Sequence, residues 1–108
     1  MLNSKQKQYL RSMAMKNRAS MQVGKAGITD AVVKQSLNEI EKTELLKISL
    51  LQNTAAEMDE VVAAFQSAEP RVELVQKIGR NVVLYKKAKE PKNRDLSAHV
   101  DRLFKANK

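Results

Sequence analysis

A short glycine loop, Gly24-Lys25-Ala26-Gly27, has residue types that suit contact with a phosphate group. Its two glycines allow positive φ angles and let a ligand approach the backbone closely. The N–H groups of the loop, with the free N–H groups that open the next helix, favour an anion, and Lys25 adds a side-chain charge. The loop therefore predicts a backbone clamp on the phosphates of a nucleic acid. A plain strand-to-helix turn is the alternative, because short glycine motifs are common.

The distribution of charge favours the clamp. The 108 residues carry a net charge of +8, so polyanions are natural partners. Residues 1–27 hold six basic residues and no acid, whereas residues 55–69 hold four acids and no base. A surface selected only for solubility would mix the two signs. This polarity predicts a directed binding face.

Other chemistries lack the residues that they need. The chain has no cysteine, and its single histidine, His99, lies in the C-terminal tail. The sequence therefore lacks the residues of a nucleophilic catalytic triad. Three carboxylates, Glu57, Asp59 and Glu60, fall within about one helical turn without a histidine, a pattern typical of a solvated face. The glycine loop also lacks the Gly-Lys-Ser/Thr ending of a nucleotide-binding loop. We therefore expect no catalytic residues, no metal and no cofactor.

The composition also indicates the cellular compartment in which the protein is expected. No apolar run is long enough to cross a bilayer, and the N-terminal residues lack the core of a signal peptide. The absence of cysteine fits a reducing cytosol. We expect a single-domain, monomeric, cytoplasmic protein with no membrane partner.

The hydrophobic pattern predicts seven elements in the order α-β-α-β-α-β-β. They are a helix capped by Ser4 and ending near Arg18, a strand at 21–23, a helix capped by Thr29 and ending near Lys42, a strand at 44–51, a helix at about 55–68 capped by Asn53 or Thr54, and strands at 71–78 and 81–85 around the turn Gly79-Arg80. The strand at 44–51 alternates, with Leu46, Ile48 and Leu50 on a dry face and Lys47 and Ser49 on a partly wet one. Two crossovers predict a mainly parallel sheet closed by one antiparallel hairpin.

This topology gathers candidate residues at one edge of the sheet. If the first three strands are parallel, their carboxyl ends bring the glycine loop, Gln52-Asn53 and Gly79-Arg80 together. The first helix precedes strand one, so its amino end should lie near the same edge. Lys5 and Lys7 are then better placed to assist the loop than Arg18.

The tail has a different composition. A charged linker begins at Lys86, and Asp95 can cap a short helix. That helix carries one apolar stripe, made of Leu96, Val100, Leu103 and Phe104. The stripe needs a surface to pack on, either the body of the domain or a partner. We favour the body, because an intramolecular contact has a high effective concentration.

Four segments resemble the CRM domain in its single-domain bacterial, YhbY-like form. They are Lys5-Gln-Lys-Gln-Tyr-Leu-Arg-Ser-Met-Ala14, Val23-Gly-Lys-Ala-Gly-Ile28, Glu44-Leu-Leu-Lys-Ile-Ser-Leu-Leu-Gln-Asn53 and Glu73-Leu-Val-Gln-Lys-Ile-Gly-Arg-Asn-Val-Val-Leu-Tyr-Lys86. The chain departs from the family at Met15-Lys16 and Ala19-Ser20, where histidines and a proline are usual. The resemblance implies a domain at residues 1–87, followed by the linker and helix at 88–108.

The resemblance also implies a fold and a function. The fold is α/β, a single two-layer domain with a mixed four-stranded sheet, similar to the C-terminal domain of translation initiation factor three. The function is binding of ribosomal RNA in large-subunit precursors, hence a role in ribosome assembly. The candidate RNA-binding residues are Gly24, Lys25, Ala26, Gly27, Lys5, Lys7, Arg11, Arg18, Gln52, Asn53 and Arg80. The alternative is a protein-interaction module that uses the acidic third helix and the amphipathic tail.

Overall fold

The computed structural model describes residues 2–16, 21–24, 27–51 and 58–106. The elements are α1 (Ser4–Met15), β1 (Met21–Val23), α2 (Asp30–Thr43), β2 (Leu45–Leu50), α3 (Met58–Ala68), β3 (Glu73–Ile78), β4 (Asn81–Tyr85), a 3-10 turn (Pro91–Asn93) and α4 (Asp95–Ala106). The predicted order of helices and strands is confirmed. No helix in these ranges combines the length and the apolarity that a membrane span requires.

The four strands form one mixed sheet, as predicted, and their order in the sheet is β1-β2-β4-β3. Strand β1 pairs in parallel with β2, whereas β4 pairs antiparallel with both β2 and β3. The expectation of a mainly parallel sheet is therefore wrong. The tight turn at Gly79, with φ of 58°, returns β4 along β3, and β4 then fills the place between β3 and β2. Strands β1, β2 and β3 still run in one direction.

Helices cover both faces of the sheet, so the domain has three layers rather than the expected two. Helices α2 and α3 pack on one face in a cluster that includes Ile40 and Phe65. Helices α1 and α4 pack on the other face, where Leu10 and Val100 are buried. The cause is visible in β4, whose residues 82–85 are all buried and alternate between the two clusters. A strand that is apolar on both faces requires cover on both.

Two helix caps and one helix end set the local geometry. Helix α1 is capped by Asn3, which forms a capping box with Gln6, so the expected cap at Ser4 is wrong by one residue. Helix α2 is capped by Thr29, as predicted. Its C-cap is Glu44, which adopts a left-handed φ of 66° and leads directly into β2.

Helix α1 crosses its face of the sheet from the start of β3 toward β2. The N–H of Leu2 donates to the carboxylate of Glu73 at 3.2 Å, at the first residue of β3. Farther along α1, the ammonium of Lys47 in β2 lies 3.5 Å from the carbonyl of Ala14. The amino end of α1 is therefore at the edge where β2 and β3 begin. The prediction that it lies at the carboxyl edge is wrong, because β1 is short and does not require α1 to run back along it.

Helix α4 is docked on the body of the domain, as the apolar stripe predicted. Val100 is 1% exposed, and Leu96 packs against the same cluster. The side-chain amide of Gln6 in α1 donates to the carbonyl of Val100 at 2.9 Å. These contacts join the two ends of the chain.

A buried carboxylate holds the start of α4. Glu44 is fully buried, and its two carboxylate oxygens accept from the N–H of Ala88 at 2.7 Å and from the N–H of Ser97 at 2.9 Å. Ser97 lies in the first turn of α4, whose backbone N–H groups have no partner within the helix. Asp95, the expected cap, is instead the first residue of the helix.

Candidate nucleic-acid interface

The edge that holds the carboxyl ends of β1, β2 and β3 is assembled by backbone hydrogen bonds. The N–H of Leu51 donates to Val23 at 2.8 Å, and the N–H of Leu50 donates to the carbonyl of Arg80 at 2.7 Å. Gly24 follows Val23 directly, so the first glycine of the loop and the β3–β4 turn lie on either side of the end of β2. The predicted convergence of these two segments is confirmed. Gln52-Asn53 follows Leu51 but lies outside the described residues.

A backbone hydrogen bond joins the two glycines of the loop. The N–H of Gly27 donates to the carbonyl of Gly24 at 2.9 Å, so this amide is used inside the loop. Gly27 has φ of 71°, and a Cβ atom there would meet nothing within 4 Å. Position 27 therefore favours glycine because of its backbone angle and not because of a lack of space. The predicted contact residues Lys25 and Ala26 lie outside the described residues.

The amino end of α2 lies next to the loop. Only Ile28 and Thr29 separate Gly27 from the first residue of this 14-residue helix. The Thr29 hydroxyl accepts from the N–H of Val32 at 3.2 Å, which satisfies one of the free amides. The positive end of the helix dipole points toward the loop, whereas Asp30 adds an exposed negative charge there.

Arg80 has a structural role that the sequence did not indicate. Its guanidinium donates through Nε to the carbonyl of Leu50 at 2.8 Å and through Nη2 to the carbonyl of Leu51 at 2.7 Å. These bonds attach the β3–β4 turn to the end of β2 and orient the segment that leads to Gln52. Among the described residues, the Arg80 guanidinium has no further hydrogen-bond partner, and it carries further N–H donors. Arg80 can thus brace the edge and contact phosphate together.

The predicted cations of α1 are not gathered at this edge. Lys5 and Lys7 lie in the first turns of α1, at the end of the helix that is anchored beside Glu73. Arg11 is half-buried in the middle of the helix, and Arg18 lies outside the described residues. The structure therefore separates Lys5 and Lys7 from the glycine loop, contrary to the prediction.

Acidic side chains also lie near the edge. Lys77 in β3 forms an ion pair with Asp59 in the first turn of α3, with 2.6 Å between Nζ and Oδ1. Glu60 is exposed beside it. In the alternative of a protein-interaction module, α3 keeps an exposed acidic side, but Leu96 and Val100 of the apolar stripe of α4 pack in the cluster that includes Leu10 of α1. Within the described ranges, no group of three potential metal ligands occurs.

Tyr85, Tyr9 and His99 pack against other parts of the domain. Tyr85 is 4% exposed, and burial, with the nearby charge of Glu44, raises its pKa well above the usual value. His99 of α4 stacks on Tyr9 of α1 with ring centroids 4.2 Å apart. Tyr85 is therefore not placed to stack on a nucleobase, so direct contacts from the sheet would have to be hydrogen bonds.

Comparisons with known proteins agree on one family. The model of the CRS1 / YhbY (CRM) domain matches residues 2–86. The protein named "Probable RNA-binding protein YqeI" of Bacillus subtilis (strain 168) is 43% identical over 96 residues, which cover 89% of this chain and 99% of that protein. The solution structure of the hypothetical protein SAV1595 from Staphylococcus aureus, described as a candidate RNA-binding protein, is 41% identical with a TM-score of 0.64. That similarity covers 88% of this chain and 98% of the other.

Proposed function

Because the chain belongs to the CRS1/YhbY (CRM) domain family, we propose that it is an RNA-binding protein that acts on ribosomal RNA of large-subunit precursors during ribosome assembly. The observation that carries the proposal is the edge of the sheet, where the glycine loop, the amino end of α2 and Arg80 meet. The net charge of +8 supports a polyanionic ligand. RNA binding in the names of two similar proteins supports RNA as that ligand.

The proposed mechanism begins with the backbone. The loop from Gly24 to Gly27 approaches the RNA closely, and Lys25 neutralises a phosphate beside it. The amino end of α2 adds a favourable dipole, and Arg80 offers its remaining guanidinium N–H groups. Gln52 and Asn53 would contact sugars or bases at the same edge. Residues 1–87 form the RNA-binding domain in this proposal, and α4 stabilises it.

The cations on α1 contribute in a different way. Lys5, Lys7 and Arg11 would contact phosphates away from the loop, so their contribution should require an RNA long enough to extend along α1. Arg18 follows the carboxyl end of α1 and would lie nearer the start of β1. In this proposal the protein binds as a monomer in the cytoplasm.

Two variants at position 27, one charged and one neutral, test the role of the loop. We expect Gly27→Asp to weaken RNA binding about fivefold, since a like charge about 4 Å from a phosphate costs about 1 kcal/mol in water. Gly27→Asn is the matched control, because asparagine has the same shape and also tolerates a left-handed φ. Affinity is measured by fluorescence anisotropy at several salt concentrations, with circular dichroism as a check of folding. Equal affinities for the Asp and Asn variants would remove the loop from the binding site.

Two further measurements test the ligand. Phosphate-driven binding must weaken steeply as salt rises, whereas contacts of a protein-interaction module need not. Crosslinking in cells followed by sequencing of the bound RNA tests the ribosomal assignment. Enrichment of messenger or transfer RNA without ribosomal precursors would contradict it.

A further inference from the structure

A row of uncharged polar side chains crosses the sheet directly behind the binding edge. Gln22 in β1 is the partner of Ser49 in β2, and Ser49 is the partner of Asn81 in β4. Paired residues of neighbouring strands point to the same face of a sheet. The three side chains therefore form a line about 10 Å long across three strands. We refer to Gln22, Ser49 and Asn81 as the polar row.

The polar row is on the face that α1 and α4 cover only in part. Residues of that face nearer the opposite edge, Leu45, Val83 and Tyr85, pack in the cluster beneath the two helices. In the polar row, by contrast, Gln22 is exposed, and Ser49 and Asn81 are half-buried. The helices thus leave a strip of sheet accessible.

The strip adjoins the edge that carries the proposed RNA contacts. Gln22 is two residues before Gly24, and Asn81 directly follows Arg80. A phosphate backbone that follows the edge would place its bases or riboses within reach of the polar row. Positive charge at the edge attracts the polyanion, but charge carries little sequence information.

The chemistry of the row is suited to reading bases. Carboxamide side chains of Gln and Asn each offer donors and an acceptor, and the Ser hydroxyl offers both. Such groups can pair with the donor and acceptor pattern of an unpaired base or with a 2′-hydroxyl. No side-chain hydrogen bond joins the polar row to another residue in the described parts of the chain. Their hydrogen-bonding capacity is therefore not used within the fold that the structure describes.

We propose that the polar row is the part of the interface that discriminates among RNA sequences, by hydrogen bonds to unpaired nucleotides held at the glycine-loop edge. This inference rests on the proposed function and adds to it. The loop and its cations supply affinity that is independent of sequence, and Gln22, Ser49 and Asn81 supply preference. Since Tyr85 is packed inside the domain, preference arises here without aromatic stacking by this residue.

The test compares single-stranded oligo-A, oligo-C and oligo-U of equal length, which carry equal phosphate charge. We expect the wild-type chain to bind the three oligonucleotides with different affinities. In the Gln22→Ala/Asn81→Ala double variant, the difference in affinity between the preferred oligonucleotide and the others should shrink by about two- to tenfold for each hydrogen bond lost. The salt dependence of binding should stay unchanged, because no phosphate contact is removed. Asn38→Ala is the control, since Asn38 is exposed on α2 and lies on the opposite side of the sheet. Lys25→Ala should weaken binding to all three oligonucleotides by a similar factor.

A second measurement on the wild-type chain is independent of how the variants fold. In NMR titrations, the side-chain NH₂ signals of Gln22 and Asn81 should shift on addition of the preferred oligonucleotide, and that of Asn38 should not. Unmoved signals, equal affinity for the three oligonucleotides, or a ranking that survives in the double variant would overturn the inference while leaving the proposed function standing. Failure of the wild-type chain to bind any RNA at low salt would overturn both.

Discussion

Arg80 illustrates how a single side chain can brace the edge that we propose binds RNA. A surface arginine in a tight turn would ordinarily be assigned to solvent or to a phosphate. Here its guanidinium donates to two consecutive carbonyls, those of Leu50 and Leu51, at the point where β2 ends. These carbonyls lie beyond the last pairing of β2 with β4, so the side chain extends the sheet where its ladder stops.

Substitution of Arg80 separates its two roles. We expect Arg80→Ala to lower the free energy of unfolding by about 1–2 kcal/mol, at the low end of values for charged hydrogen bonds because the site is exposed. Arg80→Lys should recover only part of the loss, since an ammonium cannot reproduce the planar fork. Urea unfolding measures both, with Arg102→Ala on α4 as the control at an exposed arginine. If Arg80 also contacts a phosphate, the slope of the logarithm of RNA affinity against the logarithm of salt concentration should be smaller by about one in Arg80→Ala. Stability equal to wild type in Arg80→Ala would contradict the bracing role.

Glu44 is the residue on which the attachment of α4 depends. It ends α2 in a left-handed conformation, and its buried carboxylate accepts from Ala88 and Ser97, more than forty residues away. An acid between a helix and a strand is the only signal of this role in the sequence, and its burial is known only from the structure. The pattern does not reveal which amides the acid meets.

The amide variant tests that attachment. Glu44→Gln preserves size but replaces one acceptor oxygen with an NH₂ group, so one buried backbone N–H loses its partner. We expect a loss of about 2 kcal/mol in unfolding free energy and faster hydrogen exchange at Ser97 and through the first turn of α4. Glu39→Gln is the control, because Glu39 is exposed on the same helix. Wild-type exchange rates in the Glu44 variant would show that the attachment of α4 does not depend on the Glu44 carboxylate.

At the scale of the elements, a second carboxylate, that of Glu41, joins the end of α2 to the segment that follows β4. Glu41 accepts from the N–H of Lys89 and from the ammonium of Lys86, which lies 3.2 Å away and is almost fully buried. Desolvation raises the pKa of Glu41, but the bonds from Lys89 and Lys86 lower it by more, so the pKa lies below its usual value of 4.5. This contact fixes residues 86–89 against α2, and thus positions the chain that leads to α4.

The direction of that pKa shift determines how the stability of the protein depends on pH. Because the folded pKa is lower than the unfolded one, the contribution of Glu41 is present above pH 4.5 and is lost as pH falls through the folded pKa. We expect Glu41→Gln to lower stability by about 1–2 kcal/mol at pH 7, since the buried ammonium of Lys86 loses its carboxylate partner. The difference from wild type should shrink toward zero as the pH falls below 4.5. Urea unfolding across this range measures it, with Glu39→Gln as the control. A difference that does not change with pH would exclude the ion pair as its source.

At the scale of the whole molecule, the contacts that anchor α1 and α4 and the edge proposed to bind RNA lie at opposite edges of one sheet. The glycine loop, the end of β2 and the β3–β4 turn share one edge. The anchoring of α1 beside Glu73 and of α4 beneath Glu44 occurs toward the other. A change in α4 should therefore affect stability much more than the chemistry of the binding edge.

Truncation after Lys87 tests this separation. It removes the buried Val100 and both N–H partners of Glu44, so we expect at least about 3 kcal/mol of stability to be lost. The removed segment holds six basic and three acidic residues, a net charge of +3, so RNA affinity should fall only as far as that lost charge requires. Thermal unfolding and RNA titration measure the two effects, and Val100→Ala in the full chain reports the apolar part of the loss. Loss of all RNA binding in a truncated protein that is still folded would place the binding site on the tail.

The sequence alone determined the elements and the edge at which they meet. Hydrophobic periodicity identified the helices and strands, Thr29 marked the start of α2, and Gly79-Arg80 marked the hairpin. These are local signals, because a cap or a turn depends on residues within a few positions. The common direction of β1, β2 and β3 followed from the crossovers, so Gly24 and Arg80 were correctly brought together.

Only the tertiary structure decided how these elements are arranged in space. The insertion of β4 beside β2, the direction of α1 and the role of Glu44 all depend on contacts between residues that are far apart in the chain. Periodicity reports that a face is apolar but not which element covers it, so the apolar run of β4 shows that both faces need cover and only the structure shows that α1 and α4 provide the second helical layer. The same reason explains why Lys5 and Lys7 were placed at the wrong end. Their position depends on the anchoring of Leu2 to Glu73, a contact that spans 71 residues of sequence.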